Sequence, residues 1–198
     1  MVYIKRIPSK KEYEGSYHKF CHSEGLALLQ YALQKEYSYN LSEDDIRKKE
    51  HGKPYIKNVP FYFNISHCDG LVVCAVSENE IGIDAEVIRT VADRVMKRCY
   101  SDSEIDYVNS CIDKDVEFTK LWTLKESYVK LTGEGIATDL KAVSFDLKDA
   151  TAFSDDVSFS QFSINGKYIV SLCKDVKSEK LYFDILNNDS DDIIILDN

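Results

Sequence analysis

Two stretches of the chain place acidic residues where they could do chemistry together. In Ile81-Gly-Ile-Asp-Ala-Glu-Val87, the residues Ile81, Ile83, Ala85 and Val87 alternate with Gly82, Asp84 and Glu86, the period-2 pattern of a strand with one apolar face. Asp84 and Glu86 therefore share the other face, about 6.5–7 Å apart along the backbone. Two carboxylates so close repel unless a cation lies between them, and an all-oxygen donor set suits a hard ion such as Mg²⁺. A solvated strand face is the competing explanation. The second stretch runs from Phe118 to Gly135. Phe118, Trp122, Glu126 and Lys130 stand at successive i, i+4 steps. This lines a carboxylate and an ammonium up with a tryptophan, at the edge of a core. On the helix alone, an ordinary i, i+4 Glu–Lys pair worth a few tenths of a kcal/mol (~0.3) is the commoner explanation.

Positioning these groups requires a helix and a set of strands. Residues 118–132 are predicted helical, with Leu121, Leu124, Tyr128 and Leu131 as the apolar stripe and Gly133-Glu-Gly135 as the stop. Before it, the pattern predicts a strand over 2–7, an amphipathic helix over 17–37 and a helix start at Ser42. A turn follows over 50–55, where Pro54 forbids further helix. Strands at 61–66, 71–76 and 81–87, with a turn at 67–70, are expected as three successive antiparallel strands delivering Ser66, His67, Asp84 and Glu86 to one sheet. Residues 89–108 read as helix, restarting at Ser101 in a capping box with Glu104. Strands are expected at 142–147, 158–164, 168–173 and 180–185, with Asn165-Gly166 as a hairpin turn. The tail, with Asp184, Asp189, Asp191, Asp192 and Asp197 around Ile193–Leu196, is either a short terminal strand or a frayed end. Helix followed by strands occurs twice, which predicts an α+β protein of two similar α+β halves, 1–86 and 87–198. They join near residues 84–91, with the active site in the cleft between them.

Composition narrows the class. The 198 residues are 44% hydrophobic and 30% charged, with a net charge of −9, which describes a soluble globular chain and argues against nucleic acid as a partner. No run of about 18 apolar residues is present, so no membrane span is expected, and the first residues lack the apolar core of a secretory signal. Cys21, Cys68, Cys74, Cys99, Cys111 and Cys173 show no metal-ligand spacing and fit reduced thiols in a cytoplasm.

Four blocks in order, Gly52-Lys-Pro54, Phe63-Asn-Ile-Ser-His67, Gly82-Ile-Asp-Ala-Glu86 and Trp122-Thr-Leu-Lys-Glu-Ser127 with Lys130 and Gly133-Glu-Gly135, resemble those of 4′-phosphopantetheinyl transferases. The likeness is to the surfactin-synthetase-activating (Sfp-type) branch. That resemblance implies a pseudo-twofold fold. It also implies transfer of the phosphopantetheine arm of coenzyme A to a serine of an apo acyl or peptidyl carrier protein, releasing 3′,5′-ADP. It implies further that Asp84, Glu86 and Glu126 hold Mg²⁺, with Mn²⁺ as a substitute, on the CoA pyrophosphate, that Glu126 acts as general base, and that Lys130 assists the leaving phosphate. Lys125 would offer a further cation. Ser66 and His67 match a CoA-binding pair, Lys53 and Pro54 match the loop beside the adenine, and Arg47 would approach from a preceding helix. For the 3′-phosphate the N-terminal part gives no clean match, leaving Lys5, Arg6, Lys10, Lys11 and Lys19 as candidates. The apolar residues near Val95, Met96 and Tyr100 are a candidate patch for carrier docking, with core packing as the commoner explanation of such residues. The resemblance further implies a monomer, since fused halves already form the cleft.

Other classes fit less well. A phosphoryl or nucleotidyl transferase of another kind would be expected to show a P-loop or kinase-type glycine loop, and neither is present. A serine hydrolase is disfavoured because Ser66 adjoins His67 in sequence. A catalytically altered CoA- or carrier-binding relative is the alternative that keeps the same blocks.

Overall fold

A computed structural model describes residues 1–90, 93–135, 138–149, 151–152, 156–175, 181–186 and 193–196. Of the positions covered by the expectations above, Val91, Lys180, Asp189, Asp191, Asp192 and Asp197 lie outside the described residues. The fold is mixed α+β. One four-stranded sheet has the order β12-β1-β5-β4, from Ile194–Leu196, Val2–Arg6, Leu71–Ser77 and Tyr62–Cys68. A second has the order β11-β9-β10-β6, from Leu181–Leu186, Ser158–Ile164, Tyr168–Lys174 and Ile81–Val87. Short hairpins are made by β2 (Ile46–Lys48) with β3 (Pro54–Ile56) and by β7 (Phe145–Asp146) with β8 (Thr151–Ala152).

Alternation of side chains sorts the apolar residues into three cores. Val2, Ile4, Val73 and Ala75 of the first sheet meet Ile81, Ile83, Ala85, Val170 and Leu172 of the second. The opposite face of the first sheet, through Tyr3, Val72, Cys74 and Val76, packs on Leu28, Leu29, Ala32 and Leu33 of helix α1 (Tyr17–Tyr37). Helix α4 (Lys114–Thr132), with α2 (Asp93–Cys99) and α3 (Asp102–Ser110), covers the second sheet through Leu121, Leu124, Phe159 and Cys173. The layers thus run helix, sheet, sheet, helices. β5 lies between β1 and β4 and is buried on both faces, which its unbroken apolar run requires. The sheets interlock in sequence: β6 belongs to the second, and β12 returns from near the chain's end to pair with β1 in the first.

Several elements differ from expectation for identifiable reasons. The helix predicted from Ser42 is one turn of 3₁₀ helix, Glu43–Asp45, in which the Asp45 carboxylate accepts the Ser42 amide at 2.8 Å. No apolar residue follows Ile46 at helical spacing before Pro54, so the chain turns into β2, and Arg47 lies on a strand. His67 is within β4 rather than in the turn, which contracts to Asp69 and Gly70. The three successive strands do not form one sheet: β4 pairs with β5, but β6 takes its ladder from β10. On its other edge, the amides of Ile83 and Ala85 donate to Asn64 Oδ1 (2.9 Å) and Ser66 Oγ (3.3 Å) of β4. Side chains two residues apart replace a backbone ladder there, and they seam the sheets together. Helix α4 starts earlier than expected, where Asp113 accepts the Val116 amide at 3.2 Å. It ends at Gly133, whose φ of 74° only glycine adopts readily. The capping box of Ser101 with Glu104, and the Asn165-Gly166 turn with φ of 51° and 61°, form as the sequence predicts. The strand expected over 142–147 shrinks to β7, and the terminal segment is the strand β12.

Candidate functional site

The site forms where β4, β6 and α4 meet. Because Ile83 and Ala85 of β6 face the core between the sheets, Asp84 between them faces α4 and is 5% exposed. Its Oδ1 accepts from Ser66 Oγ at 3.0 Å and from Lys130 Nζ at 2.7 Å, and Lys130 Nζ also donates to Ser66 Oγ at 2.7 Å. The second oxygen, Asp84 Oδ2, is buried without a hydrogen-bond partner. A dry, unpartnered carboxylate oxygen is costly. Only close approach of helix to strand allows this arrangement, and Gly82 permits it. A Cβ at Gly82 would stand 2.0 Å from the Ser127 carbonyl oxygen and 2.4 Å from the Leu131 nitrogen, both backbone atoms of α4.

The other two acids feel the same surroundings. Burial, then repulsion from Asp84, pushes the Glu126 carboxyl above the usual range, with Lys130 opposing. Glu86 is raised likewise by burial and Asp84, against Arg89 and Lys130. Three acids thus share one electrostatic field. Among the described residues, no group of three His, Cys, Asp or Glu side chains stands close enough to hold a metal ion as placed. The orphaned Asp84 oxygen and the two raised carboxyls are nonetheless what a hard cation would relieve, and the donors are all oxygens. On that chemistry these residues fit such an ion.

Of the three acids, Glu126 borders open space. A cavity of about 300 Å³ is lined by His51, Gly52, Lys53, Pro54, Asn64, Glu126, Lys130, Gly133 and Gly135, among others, so all of the sequence blocks except that of β6 contribute to its wall. A second cavity, of about 710 Å³, shares Glu126, Val129 and Gly135 with it and continues past Arg94, Val95, Arg98 and Trp122. Glu126 stands on the wall between the two. Phe118 and Trp122, two turns and one turn before it, have rings 6.2 Å apart, and they hold the column expected from their spacing at the core's edge.

The remaining candidates are placed differently. His67 projects from the opposite face of β4 to Ser66, and its ring meets His18 of α1 edge-on at 5.9 Å. Desolvation, then the nearby His18, Lys130 and His22, lowers its pKa. Lys53 is buried and fully engaged, donating to Glu80 (2.7 Å), to the Leu131 carbonyl (2.7 Å) and to the Ile81 carbonyl (3.3 Å). It ties the end of α4 to the start of β6. Burial lowers the pKa of Lys53, against the pull of Glu80. Pro54 opens β3 in the cavity wall, whereas Arg47 is exposed on β2 outside it. Lys125 does not join the site. Fully buried on another side of α4, it pairs with Glu104 at 2.9 Å and donates to the carbonyls of Leu140 and Val143. Of the N-terminal cations, Lys5 pairs with Glu24 at 2.5 Å. Sequence reasoning missed Gly82 as the contact point, Asn64 as the seam, and Arg94 and Arg98 in the second cavity. The i, i+4 spacing of those arginines was a legible signal.

A family model described as the 4′-phosphopantetheinyl transferase superfamily matches residues 80–177. Among curated proteins, the chain is 36% identical over 128 residues to a 4′-phosphopantetheinyl transferase of Bacillus subtilis, covering 63% of this chain and 57% of that protein. It is 32% identical over 148 residues to the 4′-phosphopantetheinyl transferase Sfp of Bacillus subtilis strain 168, covering 69% and 64%. Over 101 residues it is 37% identical to the 4′-phosphopantetheinyl transferase gsp of Aneurinibacillus migulanus, covering 49% and 42%. The chain therefore spans less than two thirds of the length of each of these relatives.

Proposed function

Because the chain belongs to the 4′-phosphopantetheinyl transferase superfamily, we propose that it transfers the phosphopantetheine arm of coenzyme A to a serine of an apo acyl or peptidyl carrier protein. The observation that carries this reading is Asp84. It is buried with one oxygen on Lys130 and Ser66 and the other unpartnered, beside a cavity bounded by Glu126 and the loop His51–Pro54. In the reaction, the carrier serine oxygen forms a bond to the phosphorus bearing the pantetheine arm. The bond from that phosphorus to the bridging pyrophosphate oxygen breaks, and 3′,5′-ADP leaves. Glu126, whose carboxyl is raised by burial and by Asp84, is suited to take the serine proton near neutral pH. Lys130 meets the negative charge that develops on the leaving phosphate. Asp84, Glu86 and Glu126 would hold Mg²⁺ or Mn²⁺, which supplies charge neutralisation of the pyrophosphate when bound.

In this reading the smaller cavity takes the nucleotide end of CoA and the larger, with Arg94 and Arg98, faces the carrier. Ser66, His67, Lys53 and Pro54 would line or support the CoA side. Lys53 would do so by fixing the loop rather than by touching phosphate, and Lys125 by holding the segment around Leu140 to α4. Residues 1–86 and 87–198 are taken as two pseudo-twofold halves that exchange strands β6 and β12, with the site in the cleft between them. We take the protein as a cytoplasmic monomer. No helix among the described residues is long and apolar enough to cross a membrane. Intact-mass spectrometry of an apo carrier protein incubated with this chain, CoA and Mg²⁺ tests the reading. A metal-dependent gain of about 340 Da that is lost with Asp84→Ala supports it. CoA binding without modification of any carrier from a varied panel replaces it with the catalytically altered relative.

A further inference from the structure

Across the second sheet, Asp84 of β6 is the register partner of Ser171 on β10, and Ser171 is the partner of Gln161 on β9. Residues directly opposite one another project to the same face, so Asp84, Ser171 and Gln161 form one polar row leading inward from the candidate site beneath α4. All three are buried. Thr123 of α4 lies on the row. Its Oγ1 is 2.7 Å from Ser171 Oγ and donates to the Thr119 carbonyl at 3.0 Å. Gln161 Nε2 donates to Ser171 Oγ (2.8 Å), to Thr123 Oγ1 (3.3 Å) and to the Lys120 carbonyl (2.9 Å). The bond to Lys120 fixes the amide's orientation, since a carbonyl cannot accept from Oε1. Oε1 is left buried without a partner. The set is therefore not placed for stability alone: apolar residues at these positions would extend the neighbouring core without desolvating polar groups.

Directional bonds do what apolar packing cannot. Hydrophobic burial is non-directional, whereas hydrogen bonds hold donor and acceptor to within a few tenths of an ångström (~0.3 Å). Thr123 fixes α4 at one end of the contact, and Gly82 beneath Ser127 and Leu131 fixes it at the other. Glu126 lies between these two points and Lys130 one turn beyond it. We infer that Thr123, Ser171 and Gln161, together with Gly82, form a built-in spacer that sets where Glu126 and Lys130 stand relative to Asp84. The first three are thus positioning residues for the transfer proposed above, on which their catalytic consequence rests.

Two readouts on the full chain separate the spacer from the reaction. The first needs no activity: the coupling between Asp84→Asn and Lys130→Met, read from Tm in a double-mutant cycle, is measured in the wild-type and Thr123→Val backgrounds. Loss of the hydroxyl should reduce that coupling to less than half. The second is kinetic: Thr123→Val should lower kcat about tenfold while KM for CoA moves less than about twofold, and Thr123→Ser should restore kcat. Leu29→Ala, in the core under α1, serves as the control for general destabilisation, with kcat unchanged. If Thr123→Val does not fold, Ser171→Ala removes the same bridge from the strand side and carries the same comparison. The spacer is overturned if the coupling is unchanged, or if Leu29→Ala lowers kcat as much. If wild-type chain modifies no carrier yet the coupling still collapses, the spacer stands and the transferase reading falls.

Discussion

Helix α1 on the first sheet and helix α4 on the second occupy matching layers but differ in what lies at the middle of the contact. Beneath the middle of α1 lie Tyr3, Val72, Cys74 and Val76, an apolar surface with its polar contacts at the margins, where the Tyr3 hydroxyl meets Glu36, Lys5 meets Glu24 and His67 meets His18. Beneath α4, Phe159 and Cys173 supply an apolar part, but beside them lie Gly82, Asp84, Ser171 and Gln161. Even the close glycine contacts differ. A Cβ on Gly25 of α1 would meet a side-chain methyl of Ile65 at 2.9 Å, whereas one on Gly82 would strike helix backbone at 2.0 Å. A dry contact tolerates adjustment, and a polar contact that brings backbone onto backbone does not. The candidate chemistry lies on the side where the groups cannot move.

The comparison breaks first at Lys125. Its pair with Glu104 is wholly buried, so Lys125→Met strands a charge and should cost about 3–5 kcal/mol in urea unfolding. Adding Glu104→Gln should recover much of the loss. The second test is Glu126→Gln, expected to lower carrier modification by about 100- to 1000-fold. Its effect on stability runs the other way. A carboxyl raised in the folded state loses stability as pH climbs from the unfolded value, about 4.3, through the folded one. The Gln variant should therefore have the higher Tm at pH 7, and the gain should vanish below about pH 4. Third, Gly82→Ala should cost about 1–3 kcal/mol or more through the backbone clash. Gly25→Ala should stay within about 1 kcal/mol, the helix gain offsetting a small shift of Ile65. Equal losses at the two glycines would remove the contrast. The smallest effect belongs to Lys5→Met, which breaks a partly exposed pair with Glu24 and should cost at most about 1 kcal/mol.

Much of the site was legible in the chain because its residues sit on regular elements. Period-2 alternation put Asp84 toward one face, and i, i+4 spacing put Glu126 and Lys130 in one column. Both are local consequences of backbone geometry. Arg47 was misplaced onto a helix because the Ser42–Asp45 cap does form, and only the lack of apolar residues after Ile46 shows that no helix follows. Lys125 matched a functional block yet is spent on Glu104, because a helix buried on several sides makes sequence neighbours point into different environments.

The sequence by itself determined the strand of Asp84, the helix of Glu126, its glycine stop and the family blocks, since these depend on residues within a few positions of one another. Only the tertiary structure decided that β6 leaves β5 for β10 and that Asn64 and Ser66 seam the two sheets. It likewise decided that Ser171 and Gln161 continue Asp84 as a polar row beneath Thr123. Those facts depend on register between residues far apart in the chain, such as Asp84 and Ser171, and register is set by which faces can be buried together, not by local pattern.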